Sequence, residues 1–248
     1  MSESHDVVWT PEKIAATWDF FSEILAGSDL YFSSHSGRWI VERADRELRL
    51  RGKRILDFGC GRGDLLAHLF ARGIAAGGLE FSEESARTTS ERFAGESLFQ
   101  GIVAGPSELE DGSFDVVFLV EVIEHLLDDQ IPQALAEVHR LLAPGGRVVV
   151  TCPNAEHLAA DSVRCPDCGA VFHRWQHLRS LDPASVSALF VRHGFSTEKA
   201  VGVYWGLTPS ATARTWLRNR GRLPKPHLLY IGGRQAGARV DGDAARMT

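Results

Sequence analysis

The chain has 248 residues, 44% of them hydrophobic, and a formal net charge of −5 at neutral pH. That suffices for one α/β domain with decoration around a sizeable core, and no run approaches the roughly 18 apolar residues of a membrane span. The start, Met1-Ser2-Glu3-Ser4-His5-Asp6, is polar and acidic rather than leader-like, so a cytoplasmic protein is expected.

Residues 8 to 40 concentrate aromatics, with Trp9, Trp18, Phe20, Phe21, Tyr31, Phe32 and Trp39. Thr10-Pro11-Glu12 opens like a capped helix with Pro in its first position, and Ile14, Trp18 and Phe21 then share one face. A second helix, from about Gly37 to Leu48, completes a helical cap over residues 1–50. Tyr31-Phe32-Ser33-Ser34-His35 reads as the cap's loop nearest a ligand. Aromatics at helical spacing more often build a core than line a pocket, and both readings stay open.

The stretch Arg54-Ile55-Leu56-Asp57-Phe58-Gly59-Cys60-Gly61-Arg62-Gly63-Asp64-Leu65-Leu66 is a short apolar strand, a glycine turn and a helix start. Gly59, Gly61 and Gly63 let the backbone take positive φ and lie against a ligand where a Cβ would collide. The free N–H groups of the first helical turn would face the same ligand. A dinucleotide fingerprint would need glycine where Asp64 stands, which disfavours a nicotinamide oxidoreductase. A plain tight turn remains the bland alternative.

Short strands and helices then alternate: Ala75 to Glu80, Glu83 to Phe93, Leu98 to Val103, Phe114 to Val120, a helix carrying Ile131, Leu135, Val138 and Leu142, and Arg147 to Thr151. A helix headed by Asp182-Pro183 and strands at Phe195 to Val203 and Leu228 to Ile231 follow. This order predicts an α/β fold with a doubly wound, mostly parallel sheet whose ligand lies at the carboxyl ends of the strands. The stretch 153–179 interrupts it as a Cys/His insertion, and residues 234–248 form a polar tail expected to be disordered.

The glycine loop resembles the first motif of class I S-adenosylmethionine (SAM) dependent methyltransferases. Phe114 to Leu126, with Glu121-Val122-Ile123-Glu124-His125, is similar to a later motif of the same family in the form seen in ubiquinone-pathway O-methyltransferases, and Leu141-Leu142-Ala143-Pro144-Gly145-Gly146 belongs to the same pattern. The resemblance covers about residues 50 to 151. It implies a seven-stranded Rossmann-like sheet, a SAM-binding domain over residues 51–233, and SAM as cofactor. Asp57 would face the ammonium of SAM, with Gly59, Gly61 and Gly63 at its carboxylate, Glu80 at the ribose diol and Phe81 against the adenine. Glu121 would complete the cofactor site. The acid that often contacts the adenine amine is missing from Ala104-Gly105-Pro106-Ser107, leaving Ser107 or backbone groups as substitutes.

The expected activity is methyl transfer to a small-molecule or carbohydrate-like acceptor at oxygen. His125 is the candidate general base, with bracing of the loop as its equal alternative. The cap helix would shape the acceptor pocket. Within the insertion, Cys165-x2-Cys168-x4-His173-x3-His177 has spacing that can surround a tetrahedral Zn²⁺. The competing reading has the cysteines merely making turns, with His173, Trp175 and His177 lining the pocket. Small-RNA 2′-O-methyltransferases carry a similar Glu-x-x-Glu-His with a downstream histidine holding a divalent ion, a set that Glu121, Glu124, His125 and His177 could imitate. Eight basic and no acidic residues between Lys199 and Val240 leave room for an RNA-directed methyltransferase or a nucleic-acid-binding module, although nucleic acid is not the expected partner. A SAM-binding protein without catalysis is a further alternative.

Overall fold

A computed structural model describes residues 3–24, 31–105, 109–205 and 225–237. The elements in chain order are β1 (His5–Asp6), α1 (Pro11–Ile24), α2 (Phe32–Leu48), β2 (Ile55–Phe58), α3 (Asp64–Phe70), β3 (Ala76–Glu80), α4 (Glu83–Arg92), β4 (Phe99–Ala104), β5 (Phe114–Val120), α5 (Gln130–Leu141), β6 (Leu142–Pro153), β7 (Ser162–Arg164), β8 (Ala170–His173), α6 (Pro183–Arg192), β9 (Phe195–Val203) and β10 (His227–Arg234). Seven strands form the main sheet in the order β4-β3-β2-β5-β6-β10-β9. The pairs among β4, β3, β2, β5 and β6 are parallel, whereas β10 runs antiparallel to both neighbours. The doubly wound, mostly parallel seven-stranded sheet expected from the sequence is therefore present.

The central strands are apolar throughout because both faces are covered. Leu56, Phe58, Val117, Leu119, Val148 and Val150 pack on one side with Leu135 and Val138 of α5 and Val186 and Phe190 of α6. The alternate residues Ile55, Val116, Phe118 and Val149 pack on the other with Ile40 and Val41 of α2 and Leu65, Leu66 and Leu69 of α3, as the two-residue period of a strand requires. Each such leucine or valine, fully buried, contributes about 1.5–3 kcal/mol. The helix α2 thus belongs to a layer of the sheet rather than to a detached cap.

Two boundaries differ from the sequence reading. The helix α2 begins at Phe32, five residues earlier than predicted, so Phe32 to His35 form its first turn and not a loop. Its polar Ser33-Ser34-His35 carries no apolar signal, yet the Ser34 hydroxyl donates to the Tyr31 carbonyl at 2.7 Å and His68 holds the Ser34 carbonyl at 2.9 Å. The strand β6 extends from Leu142 to Pro153, well beyond the predicted five-residue core: Phe114 of β5 pairs with Leu142 at its start, and antiparallel β10 pairs along it from Arg147 to Pro153.

The insertion is a hairpin, β7 against β8, and β1 adds to it in parallel, His5 opposite Ala170. The ring of Trp9 meets Phe172 edge-on at 6.3 Å. The N-terminal strand thus braces the hairpin.

Candidate active site

The carboxyl ends of β2, β3 and β5 meet beside the glycine loop. Gly59, Gly61 and Gly63 have φ of +75°, +50° and +74°, conformations that penalise any residue with a Cβ. A Cβ on Gly63 would lie 2.5 Å from Phe93, whereas one on Gly61 would meet nothing within 4 Å. The first glycine is needed for packing, the second for an open approach. Thr89 fixes the loop from α4, its hydroxyl donating to the Gly61 carbonyl at 2.7 Å. Arg92 bonds Asp64 at 2.8 Å.

Glu80 at the end of β3 accepts from three backbone amides, those of Gly61 at 2.8 Å, Phe81 at 2.8 Å and Ser82 at 3.1 Å. Those bonds occupy three of about four acceptor positions on a carboxylate, so one remains for a ligand hydroxyl. Phe81 beside it is 55% exposed, an uncovered ring packed edge-on against Phe58 at 5.5 Å. Asp57 lies buried beneath the loop, and its carboxyl is pushed up to about 8, first by burial and then by the charges of Glu80 and Asp64. A cation placed here would return the missing counter-charge.

At the end of β5 the chain turns through Glu121, a non-glycine residue at φ +54°. Such strain persists only where the surroundings hold it; here the Glu121 amide donates to the Thr151 carbonyl at 3.0 Å and its carboxylate accepts from the Thr151 hydroxyl at 2.8 Å. Burial and then the charge of Glu121 push Glu124 well above the usual carboxylate range. His125 is buried with its Nδ1 3.4 Å from the Gln176 carbonyl and its ring 4.7 Å from Trp18 of α1 and 4.9 Å from His177. Burial, and next the neighbouring His177, hold it down to about 3, a neutral imidazole at any working pH.

Trp18 donates its indole N–H to the Gln176 side chain at 3.0 Å, and Phe21 packs 5.7 Å from Trp175. The α1 face carrying Trp18 and Phe21 therefore closes on the insertion. The base of the insertion brings in Glu156, whose carboxylate lies 2.6 Å from His177 Nδ1 and 3.5 Å from His173 Nε2.

The family model described as a methyltransferase domain matches residues 31–200, more than half of the chain. The chain belongs to that family, as a class I SAM-dependent methyltransferase domain. A probable S-adenosylmethionine-dependent methyltransferase of Mycolicibacterium smegmatis is 32% identical over 64% of this chain; the chain spans 58% of that relative's length. A ubiquinone biosynthesis O-methyltransferase of Psychrobacter arcticus is 28% identical, covering 69% of this chain and 68% of its own. Among solved structures, the 1,6-didemethyltoxoflavin-N1-methyltransferase of Burkholderia thailandensis, with 1,6-didemethyltoxoflavin and S-adenosylhomocysteine bound, superposes with a TM-score of 0.64 over 94% of each chain at 20% identity. SAM is the family's methyl donor.

Within this methyltransferase, Asp57, Gly59, Gly61, Gly63, Glu80 and Phe81 gather at one edge, and Glu121 stands at the end of the adjacent β5. The glycine amides are not free donors, however. Those of Gly59 and Cys60 bond the Leu79 carbonyl, that of Gly63 bonds Cys60, and that of Gly61 bonds Glu80, so the glycines supply shape rather than the expected N–H contacts. Ser107 lies outside the described residues, as do Arg214, Arg218, Arg220 and Arg222 of the basic stretch. Two basic residues at its edges are engaged internally: Lys199 pairs with Glu47, and Arg234 holds the Leu142 carbonyl. No helix among the described residues is long and apolar enough to cross a membrane.

The four-ligand zinc set does not assemble. The Cys165 amide bonds the Ala170 carbonyl at 2.8 Å, which places the cysteines at the hairpin tip. Among the described residues, the side chains whose potential ligand atoms lie within 4.8 Å of one another group His173 and His177 with Glu156 and include neither cysteine. Glu156, Gln176, Thr89 and Thr151 were not singled out by sequence. Gln176 lies between the two candidate histidines His173 and His177, but nothing in spacing marks Glu156, which reaches the histidines only through the return of the hairpin.

Proposed function

We propose that this protein transfers the methyl group of SAM to an oxygen of a small or carbohydrate-like acceptor, bound between the glycine-loop edge and the α1 cap. The observation that carries the reading is the closure of Trp18 and Phe21 over His125 and Trp175, which puts an aromatic wall beside the strand ends. Apolar and aromatic walls with few polar groups suit a small ligand.

In this reading the SAM ammonium sits by Asp57, one ribose hydroxyl donates to the remaining acceptor position of Glu80, and the adenine lies on the exposed ring of Phe81. The methyl carbon is displaced in line from the sulfonium by the acceptor oxygen, leaving S-adenosylhomocysteine. A sulfonium is so good a leaving group that alignment of the two reactants supplies most of what is required. His125, with Nδ1 turned to Gln176 and its ring against Trp18, is assigned to bracing the acceptor wall. Residues 153–179 then act as an acceptor-side module on a cofactor domain.

Incubation with methyl-labelled SAM and panels of hydroxylated small molecules, glycans and total RNA tests the reading. Label on an oxygen of a small or sugar-like acceptor is expected. Label confined to RNA, or to nitrogen or carbon, would contradict it.

A further inference from the structure

The four cysteines fall into two kinds. Cys60 and Cys152 are buried in the two cores that cover the sheet, 7% and 1% exposed. Cys168 is exposed and Cys165 half-buried, both as free thiols at the tip of the hairpin between β7 and β8. The methyl-transfer reading uses neither of this second pair.

The turn between them brings the two sulfurs together. The Gly169 amide donates to the Cys165 carbonyl at 3.1 Å, and the Cys165 amide donates to the Ala170 carbonyl at 2.8 Å, with Gly169 at φ +81°. Residues 165–169 thus close one helical-type turn, in which residues three apart are neighbours at a separation that a disulfide can span. The Cys165 sulfur accepts from the amides of Cys168 and Asp167 and from the Cys168 thiol, contacts that favour its thiolate.

The same turn carries the anchor of the N-terminal strand. The His5 amide donates to the Gly169 carbonyl at 3.3 Å and the Val7 amide to the Val171 carbonyl at 3.0 Å, while Trp9 meets Phe172 edge-on. From there the chain enters α1, whose Trp18 and Phe21 close on His125 and Trp175. The firmness of the tip therefore bears on how well the cap is tethered.

We propose that Cys165 and Cys168 form a redox-modified site, a dithiol that exchanges with small disulfides and, once joined as a disulfide, stiffens the hairpin tip on which the N-terminal strand is anchored. The Cys165 thiolate attacks one sulfur of a small disulfide RSSR and expels RS⁻, which leaves a mixed disulfide on Cys165. The Cys168 thiol then gives up its proton, and its sulfur displaces the second RS⁻ from Cys165. Both leaving groups take up a proton, so the pair loses two electrons and two protons and the small disulfide becomes two RSH. The new bond restricts the open hairpin more than the folded one, which favours the docked strand. Cys60 and Cys152 take no part because burial shields them. The site does not depend on the methyl-transfer reading.

The test uses the reduced full chain, shown folded by circular dichroism and equilibrated without oxygen in graded mixtures of reduced and oxidised glutathione. Acid quenching, alkylation in denaturant and peptide mass spectrometry then read each cysteine. Cys165 and Cys168 should lose their alkylation together, as one disulfide per chain, with Cys60 and Cys152 at least about tenfold less reactive. Cys168→Ser should stop at one glutathione held on Cys165, because no second thiol remains to displace it. Cys165→Ser should react at least about tenfold more slowly than wild type. In the oxidised wild type, hydrogen exchange at the His5 and Val7 amides should slow by about threefold or more relative to the reduced chain. The Cys165→Ser/Cys168→Ser double variant should show no such difference between the two glutathione conditions.

The proposal is overturned if the pair stays reduced throughout the series, or if glutathione accumulates on both cysteines of the folded wild type without the internal bond. It is equally overturned if the disulfide forms and exchange at His5 and Val7 does not change.

Discussion

Around Gly61 the end of the sheet is shaped by backbone, with three glycines at positive φ and a strand-end glutamate bonded to loop amides. Around His177 it is shaped by side chains brought from α1, the end of β5, Glu156 and the β8 hairpin. The first region is a contiguous design: its residues are close in sequence because one strand and one turn carry them. The second has no local pattern, and each of its groups is oriented by a partner from another segment. The difference teaches where a substitution acts. In the first region it acts through the shape of the main chain, in the second through lost orientation of neighbours.

The largest effect should come from Gly63→Val. A Cβ there meets Phe93 at 2.5 Å and Thr89 at 2.8 Å with φ at +74°, and over-packing with left-handed strain together costs about 4 kcal/mol. Denaturant unfolding should show that loss; a variant as stable as wild type would dissolve the distinction drawn between the two regions. Glu80→Gln comes next. Losing a charged acceptor of three backbone amides costs about 1.5–3 kcal/mol, read as roughly tenfold or more weaker binding of S-adenosylhomocysteine.

Asp57 supplies a pH signature. Its ordinary value is 3.8 and in the folded chain it is raised to about 8, so between those values the folded state holds a proton that the unfolded chain has released. Stability without ligand should therefore decline as pH rises through that window. An ammonium bound beside Asp57 favours its ionised form, so S-adenosylhomocysteine should bind more tightly at pH 8 than at pH 6 and expel a proton. Calorimetry in buffers of different ionisation heat measures that proton, and no buffer dependence would refute the contact. The smallest effect should be that of Trp18→Ala. It removes the indole bond to Gln176 and should cost about 1 kcal/mol, raising the acceptor KM while leaving cofactor affinity within about threefold.

The sheet, the glycine loop and Glu80 were legible because parallel strands buried on both faces are continuous apolar runs and because a positive φ selects glycine. The α1 face was legible for the same reason of period. The early start of α2 was not, since Ser33, Ser34 and His35 make their turn through hydrogen bonds rather than apolar contacts. Cys165 and Cys168 misled because Cys-x2-Cys spacing is shared by metal sites and by tight hairpin turns, and only the pairing of β7 with β8 separates them from the histidines. Glu156 was invisible because its role exists only after that hairpin folds back.

The most direct measurement is calorimetric titration of wild type and Gly61→Val with S-adenosylhomocysteine. Gly61 has φ +50° and open space around its Cβ position, so the valine should leave the core intact while closing the approach to the loop. Micromolar binding by wild type, with a loss of about 100-fold or more in a variant that remains folded, is expected. No binding by folded wild type, or equal binding by both proteins, would contradict the placement of the cofactor on this loop.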